Sequence, residues 1–313
     1  MLASNHSCQT TVGRYGPLVI ADAAALIRAG FPVAVATETV YGLAADSTNS
    51  AAVVRIYEAK GRPIFNPLII HVLDLAAAEA LGVFNDEARA LALKHWPGPL
   101  TLVVPRRSDC PVSTLATAGL DTIAIRVPAH RAIRALLEAS EVPLAAPSAN
   151  ASGRLSPTRA EHVLNTLNGR VRLIIDDGPN TLGIESTIVA VDDKGVRLLR
   201  LGPIMTGLSL SAHDKIESPG QTMNHYAPSK ELRTDAMSAG NDEWHIGFGT
   251  VGGHTTLSQS GDLVEAAANL FDRLHEADRS ACATIAVAPV PETGIGAAIN
   301  DRLRRACAAN AGS

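Results

Sequence analysis

Leu144-Ala-Ala-Pro-Ser-Ala-Asn-Ala-Ser-Gly-Arg-Leu-Ser-Pro-Thr158 decides how the chain is read. An apolar run, residues 142–146, stops in a small, polar, glycine-containing loop, and a helix is expected to open at Ser156-Pro157 or Thr158. Pro157 suits a first helical position, and Thr158 with Glu161 has the spacing of a capping box. A strand running through a Ser/Asn/Gly loop into a helix start leaves unpaired N–H groups and small hydroxyls where an anion can sit. An ordinary strand–helix connection looks the same. The neighbourhood has to separate the two.

Before this loop, the pattern predicts a helix over 21–29 closed by Gly30 and a β-rich run over 32–39. A helix over 51–60 comes next, stopped by Gly61-Arg62-Pro63. Further strands are expected at 67–73, 100–105 and 122–127, two helices within 74–95, and a helix over 131–139. After the loop come strands at 171–176, 185–191 and 196–201. Strands alternate with helices and several are apolar on both faces, which argues for a helix-covered sheet, an α/β fold. Residues 1–16 read as a flexible N-terminus and 206–243, rich in Pro, Gly and polar residues, as a linker. Beyond it lies a smaller α/β unit over 244–313, with strands at 244–249 and 284–288 and helices at 262–277 and 294–308.

The 313 residues are 46% hydrophobic and 19% charged, a globular composition; with aromatics at 4%, the core has to be built from Ala, Val, Leu and Ile. A formal net charge of −4 argues against a protein held to nucleic acid by bulk electrostatics. Cys8, Cys110, Cys282 and Cys307 are widely spaced, as expected of reduced thiols in a cytoplasmic protein and not of a zinc site or disulfide framework. No leader pattern and no apolar run of membrane-spanning length is present. Gly247-Phe-Gly-Thr-Val-Gly252 fits a dinucleotide fingerprint, but the segment after it is not a helix start, so it reads as a turn.

Candidate site residues cluster in the first half. Lys60 and Arg62 end a helix, with Asn66-Pro67 and His71 close behind. Arg126 sits in an apolar strand, where it needs an anionic partner, either a structural carboxylate or that of a substrate. Glu185-Ser-Thr187 opens a strand with two hydroxyls, and Arg200 ends another beside a glycine. Singly, each is an ordinary structural residue.

Together they form a pattern. Thr37-Glu-Thr-Val-Tyr-Gly-Leu43, Lys60-Gly-Arg-Pro63 with Asn66-Pro-Leu68, Trp96-Pro-Gly-Pro-Leu-Thr101, Ala146-Pro-Ser-Ala-Asn150 and Gly183-Ile-Glu-Ser-Thr187 resemble, in order and spacing, the YrdC-type proteins. Ser218-Pro-Gly220 with His225-Tyr-Ala-Pro228, Ala266-Ala-Ala-Asn-Leu-Phe271 and Ala297-Ala-Ile-Asn-Asp-Arg-Leu303 resemble the long, two-domain L-threonylcarbamoyladenylate synthases. The resemblance implies a catalytic domain over 17–205 with a twisted mixed sheet and a concave active face. It also implies a lid in the linker over 206–243 and a small Rossmann-like domain over 244–313.

The implied reaction joins L-threonine, bicarbonate or CO2, and ATP into threonylcarbamoyl-AMP and pyrophosphate. This is the first step toward N6-threonylcarbamoyladenosine at position 37 of tRNAs reading ANN codons. Lys60, Arg62, Ser148 and Asn150 are implied as catalytic residues. Thr39, His71, Arg126, Ala146 and Ser186 would hold threonine; Arg62, Asn66, Thr122, Ser148, Ser156, Arg200 and Tyr226 would hold ATP. Mg2+ would come with ATP, held by phosphate oxygens and water and by no protein metal site. The product would pass to the tRNA threonylcarbamoyl-transferase machinery, with at most a weak tRNA contact, and the chain is expected to be a monomer. Two positions depart from the family: Gln221 stands where Met commonly follows Ser-Pro-Gly, and Leu199-Arg-Leu-Gly202 replaces L-R-P-G. Other readings are an RNA-binding YrdC-like module and a carbamoyl-adenylate-forming carbamoyltransferase; the acidity and few aromatics count against the first.

Overall fold

The computed structural model describes residues 8–211, 217–219 and 226–310; Gly220, Gln221 and His225 lie outside them. The first half runs β1 (Thr11–Arg14), α1 (Pro17–Arg28), β2 (Val33–Val35), β3 (Gly42–Asp46), α2 (Ser50–Lys60), β4 (Ile69–His71), α3 (Leu75–Glu79) and α4 (Asp86–His95). It continues through β5 (Leu100–Pro105), β6 (Thr122–Arg126), α5 (Arg131–Ser140), β7 (Leu144–Ala145), α6 (Ala160–Leu167), β8 (Leu173–Asp176), β9 (Thr187–Asp192) and β10 (Gly195–Arg200). The second half holds β11 (Leu232–Arg233), β12 (Glu243–Gly247), β13 (Thr255–Thr256), α7 (Leu263–Arg279), β14 (Thr284–Val287) and α8 (Gly296–Asn310).

Ten strands form one mixed sheet, in the order β1-β8-β2-β3-β7-β4-β6-β5-β9-β10. β4 and β6 run parallel, pairing His71 with Arg126, while β7 lies antiparallel on the other side of β4. The middle strands are buried along most of their length, as their unbroken Val, Ile, Leu and Ala content requires. A second, all-parallel sheet, ordered β11-β14-β12-β13, carries α7 and α8. On α7, Ala266, Ala267, Leu270, Phe271 and Leu274 recur at helical spacing and are buried, and the Asp262 carboxylate caps the helix by accepting from Val264 N (2.7 Å) and Glu265 N (3.1 Å).

Three expectations are corrected. Residues 11–14, expected within a loose N-terminus, form β1 and extend the sheet by pairing parallel with β8. The small parallel sheet begins at β11, ahead of residue 244, because Leu232 and Arg233 pair with β14. The helix after the 144–158 loop starts at Ala160, with Arg159 at its cap and no capping side chain. Pro157 instead lies outside the helix, its carbonyl accepting from Tyr41 N at 2.8 Å, and Thr158 N and Oγ1 each lie 3.3 Å from His162 Nδ1.

The two halves are packed together. Val40, Leu155 and Ile184 from the first half share a core with Leu270, Phe271 and Ile299. Gly183 has φ +69, and a Cβ there would fall on the Ala267 and Ala268 carbonyl oxygens of α7, so this contact needs glycine on both counts. Arg159 grips Asp272 with Nε at 2.6 Å. The rings of His162 and His275 stack across the junction with centroids 3.8 Å apart.

Burial first, and its histidine neighbour second, pushes His162 down to about 3, while burial pushes His275 down to about 4; His71, buried in β4, is also pushed down to about 3. All three are neutral in the fold but gain a proton near pH 6.5 when unfolded. Stability is therefore complete above about pH 6.5 and falls below it, by about 1.4 kcal/mol per pH unit for each buried imidazole. The melting midpoint should drop between pH 6.5 and 5, before most carboxylates titrate; a midpoint flat to pH 5 would show that these rings are not held neutral.

Candidate active site

The cleft that opens on the sheet is lined by Thr37, Thr39, Arg62, His71, Arg126, Ala146, Ser148, Glu185, Ser186, Arg200, Pro219 and Tyr226, among others. Its floor is the centre of the sheet. The parallel register of β4 and β6 puts His71 beside Arg126, and Ala146 continues from β7 with its N–H donating to Ile69 O at 3.0 Å. Ser186 leads into β9 and Arg200 ends β10, antiparallel neighbours.

The Thr37–Val40 turn closes one wall. Thr37 Oγ1 donates to Val40 O (2.7 Å) and lies 2.9 Å from Thr39 Oγ1. Thr39 Oγ1 accepts from Arg126 Nη1 at 2.9 Å. Arg126 Nε donates to Gly98 O (3.2 Å) and Nη2 lies 2.6 Å from Glu38 Oε1. The Trp96-Pro-Gly-Pro-Leu-Thr101 loop delivers that carbonyl: Trp96 Nε1 donates to Leu100 O (2.7 Å), Gly98 N to Val127 O (2.8 Å), and Trp96–Pro97 is cis. Burial pushes the Glu38 carboxyl up, but the charge and hydrogen bond of Arg126 and the Ala129 N–H outweigh it and hold the pKa at about 2. Arg126 thus has a structural carboxylate, one of the two partners its burial required.

Arg62 and Arg200 differ. Both are buried, and neither meets a carboxylate among the described residues. Arg62 donates to Asn66 O (3.3 Å) and Pro67 O (3.0 Å); Arg200 donates to Ser186 O (3.0 Å), Ser186 Oγ (3.0 Å) and, at 3.5 Å, Pro219 O. Burial is the first cause that lowers both pKa values, that of Arg62 to about 10; a guanidinium keeps its charge at neutral pH in proteins. Two desolvated cations whose acceptors among the described residues are all neutral make an anion site. The glycine of Leu199-Arg-Leu-Gly202 is needed here, since a Cβ at Gly202 would strike the Ser186–Thr187 backbone.

Several expected residues stand off the cleft wall. Lys60 does not line the cleft: its Nζ is buried on Ser148 O (2.5 Å), Asn150 O (2.6 Å) and Asn150 Oδ1 (3.4 Å). Burial first, then Arg62, holds its pKa well below the ordinary lysine value. Asn150 also braces the loop, donating to Ala151 O and Arg154 O. The Ser156 hydroxyl is taken by Glu185 Oε1 at 2.5 Å. Thr122 opens β6 and is absent from the cleft wall. Asn66 stands behind the wall, its carbonyl on Arg62 and its buried Oδ1 without a hydrogen-bond partner among the described residues. Thr39, His71, Arg126, Ala146, Ser148, Ser186, Arg62, Arg200 and Tyr226 do converge on one cleft.

Sequence reasoning missed Glu38 and Glu185 as site residues. Glu38 had a signal, since a buried Arg126 demands a carboxylate and Glu38 lies inside the Thr37–Leu43 motif. Glu185 is matched by Arg302, 117 residues away, and no local spacing announces that pair. Glu185 in the cleft wall and Glu38 behind Arg126 are each held by an arginine, and no group of three or more His, Cys, Asp or Glu suited to a metal exists among the described residues. Nor is any described helix long and apolar enough to cross a membrane.

A family model described as "Telomere recombination", covering the Sua5, YciO and YrdC proteins, matches residues 25–202, and one described as "Threonylcarbamoyl-AMP synthase, C-terminal domain" matches 187–308. The threonylcarbamoyl-AMP synthase of Bacillus subtilis is 41% identical, with 92% of each chain covered. That of Pyrococcus abyssi is 38% identical over 91% of this chain and 92% of its own. The crystal structure of P. abyssi Sua5 complexed with L-threonine superposes with a TM-score of 0.86 at 37% identity, covering 96% of this chain and 98% of that one. With the cleft of arginines and hydroxyls at the centre of its mixed sheet, and a small parallel α/β domain behind, this chain belongs to the two-domain Sua5/YrdC-type threonylcarbamoyl-AMP synthases.

Proposed function

We propose that the cleft condenses L-threonine, bicarbonate and ATP into threonylcarbamoyl-AMP and pyrophosphate. The observation that carries this is the pair of buried arginines, Arg62 and Arg200, that meet no carboxylate among the described residues and face the same space as Ser148, Ser186 and Thr39. A polyphosphate supplies the negative charge they lack.

The threonine amine, once deprotonated, attacks CO2 derived from bicarbonate and gives an N-carboxylate, the proton it loses combining with the hydroxide left by bicarbonate to form water. One carbamate oxygen then attacks the α-phosphorus, the bond to the bridging oxygen breaks, and pyrophosphate leaves with its electron pair. The carbamate is already an anionic nucleophile, so the chain has to align the partners and stabilise charge. Arg62, Arg200 and Ser148 hold the phosphates, while Thr39, His71, Arg126, Ala146 and Ser186 form the threonine end. Neutral His71 adds no charge there. The threonine carboxylate shares Arg126 with Glu38 by replacing the Thr39 hydroxyl on Nη1. Lys60 and Asn150 act at one remove, by holding the 148–154 loop. Tyr226, at φ +67, covers the phosphate end and excludes water from the reactive adenylate.

Mg2+ enters as part of the nucleotide. With Glu38 and Glu185 both engaged by arginines, the donor set here suits an ion carried by phosphate oxygens and water, and the ion supplies charge neutralisation to the phosphates. The product then passes to a tRNA threonylcarbamoyl-transferase in the cytoplasm, with the chain acting as a monomer and touching tRNA weakly if at all.

Pyrophosphate release by the purified chain tests this. Omission of either threonine or bicarbonate should abolish release, and mass detection should find threonylcarbamoyl-AMP. Release that needs neither co-substrate would mean simple ATP hydrolysis and reject the proposal.

A further inference from the structure

We propose that Arg302, on α8 of the C-terminal domain, is a positioning residue of the cleft: it holds the Glu185 carboxylate and so keeps Arg200 available to the anionic substrate. The inference rests on reading the cleft as the polyphosphate site.

Arg302 is 1% exposed and heads the fully buried side chains by size. Its Nε lies 2.9 Å from Glu185 Oε2, its Nη1 2.8 Å from Asp301 Oδ2, and its Nη2 donates to Leu201 O at 2.8 Å. Its guanidinium carbon stands 5.2 Å from the centre of the Tyr226 ring, within cation–π range. One side chain therefore holds the carboxylate on the cleft wall, the backbone next to Arg200 and the tyrosine that covers the cleft. The remaining Glu185 oxygen accepts from Ser156 Oγ, which fixes the carboxylate from both sides.

Glu185 and Arg200 line the same cleft. Burial raises the Glu185 pKa, yet Arg302 first and Arg200 second bring it below the ordinary value, so both guanidinium groups act on this carboxylate. Without Arg302, the next cation for Glu185 is Arg200, whose acceptors among the described residues are all neutral. A pair formed there would cancel the charge that holds phosphate, because a desolvated carboxylate takes the nearest guanidinium. The C-terminal domain thus contributes to substrate binding through one arginine, beyond packing against the linker.

Inorganic pyrophosphate binding by calorimetry, on the full chain, reads this without requiring turnover. Arg302→Met should weaken pyrophosphate at least about tenfold. Adding Glu185→Gln to that variant should restore affinity to within about threefold of the parent chain, since the competing charge is gone. An arginine that only stabilises the fold predicts that Glu185→Gln recovers the melting temperature of Arg302→Met while the pyrophosphate affinity per folded molecule is the same with and without it. That result, or an unchanged affinity in Arg302→Met, overturns the proposal. Should Arg302→Met fail to melt cooperatively, Arg302→Lys with and without Glu185→Gln carries the same comparison. Failure of the parent chain to make threonylcarbamoyl-AMP while pyrophosphate binding follows the rescue pattern would strike the reaction and leave the positioning role intact.

Discussion

Arg200→Met should lower kcat/KM for ATP by about 10²- to 10³-fold while leaving the melting temperature unchanged or raised. Both effects have the same origin. Arg200 is 6% exposed and desolvated, and its hydrogen bonds go to Ser186 O, Ser186 Oγ and Pro219 O, none of which is charged. A buried cation that makes no direct ion pair among the described residues costs the fold free energy until an anion arrives. Methionine removes that cost and fills similar volume, and Glu185 keeps Arg302 as its partner. What is lost is the preorganised charge for the phosphates. Steady-state pyrophosphate release gives the first effect and thermal melting the second. Arg107→Met, at an exposed arginine paired with Asp109, serves as control and should change neither. A variant that melts much lower, or keeps kcat/KM, would show that Arg200 is a structural residue.

The sequence made some elements plain and hid others for physical reasons. β5 was legible to its last residue because Leu100–Pro105 is a nearly continuous apolar run, and α7 because Asp262 caps a long run of regularly spaced apolar residues. β3 was not, since Gly42-Leu-Ala-Ala-Asp46 has low strand preference and is held in place by its neighbours on both sides. β1 and β11 are short, and only their partners β8 and β14 define them. Among site residues, the hydroxyls and arginines of the motifs were legible as chemistry. Their partners were not. Lys60 carries the charge an anion site wants, but the same ammonium satisfies three acceptors of the 148–150 loop, and no pattern distinguishes these uses. Glu38 with Arg126 and Glu185 with Arg302 are long-range pairs that only the folded sheet and the domain contact bring together.

Arg126→Met should behave oppositely to Arg200→Met, losing about 3–5 kcal/mol of stability together with activity. Arg126 is the counterion of Glu38, whose side chain is 9% exposed and is otherwise held by Ala129 N (3.1 Å) and His130 N (3.3 Å). Lowering of the Glu38 pKa from 4.5 to about 2 corresponds to about 3 kcal/mol of stability. Because the folded value lies below the unfolded one, that contribution is present above about pH 4.5 and is lost as pH falls toward 2. Removing the arginine takes that lowering away. Burial, already the largest influence on Glu38, is then opposed only by the backbone N–H donors, and the carboxyl rises well above its value in the parent chain. The stability deficit of Arg126→Met relative to the parent chain should therefore shrink between pH 7 and 5, as Glu38 takes up a proton that makes its burial tolerable. The parent itself weakens over this range through its buried histidines, so the difference between the two proteins is the quantity to follow. Adding Glu38→Gln should recover most of the stability at pH 7 and none of the activity, because the charge that meets the substrate carboxylate is still missing. A deficit independent of pH and of residue 38 would mean that Arg126 stabilises the fold by packing, and that its charge belongs wholly to the substrate.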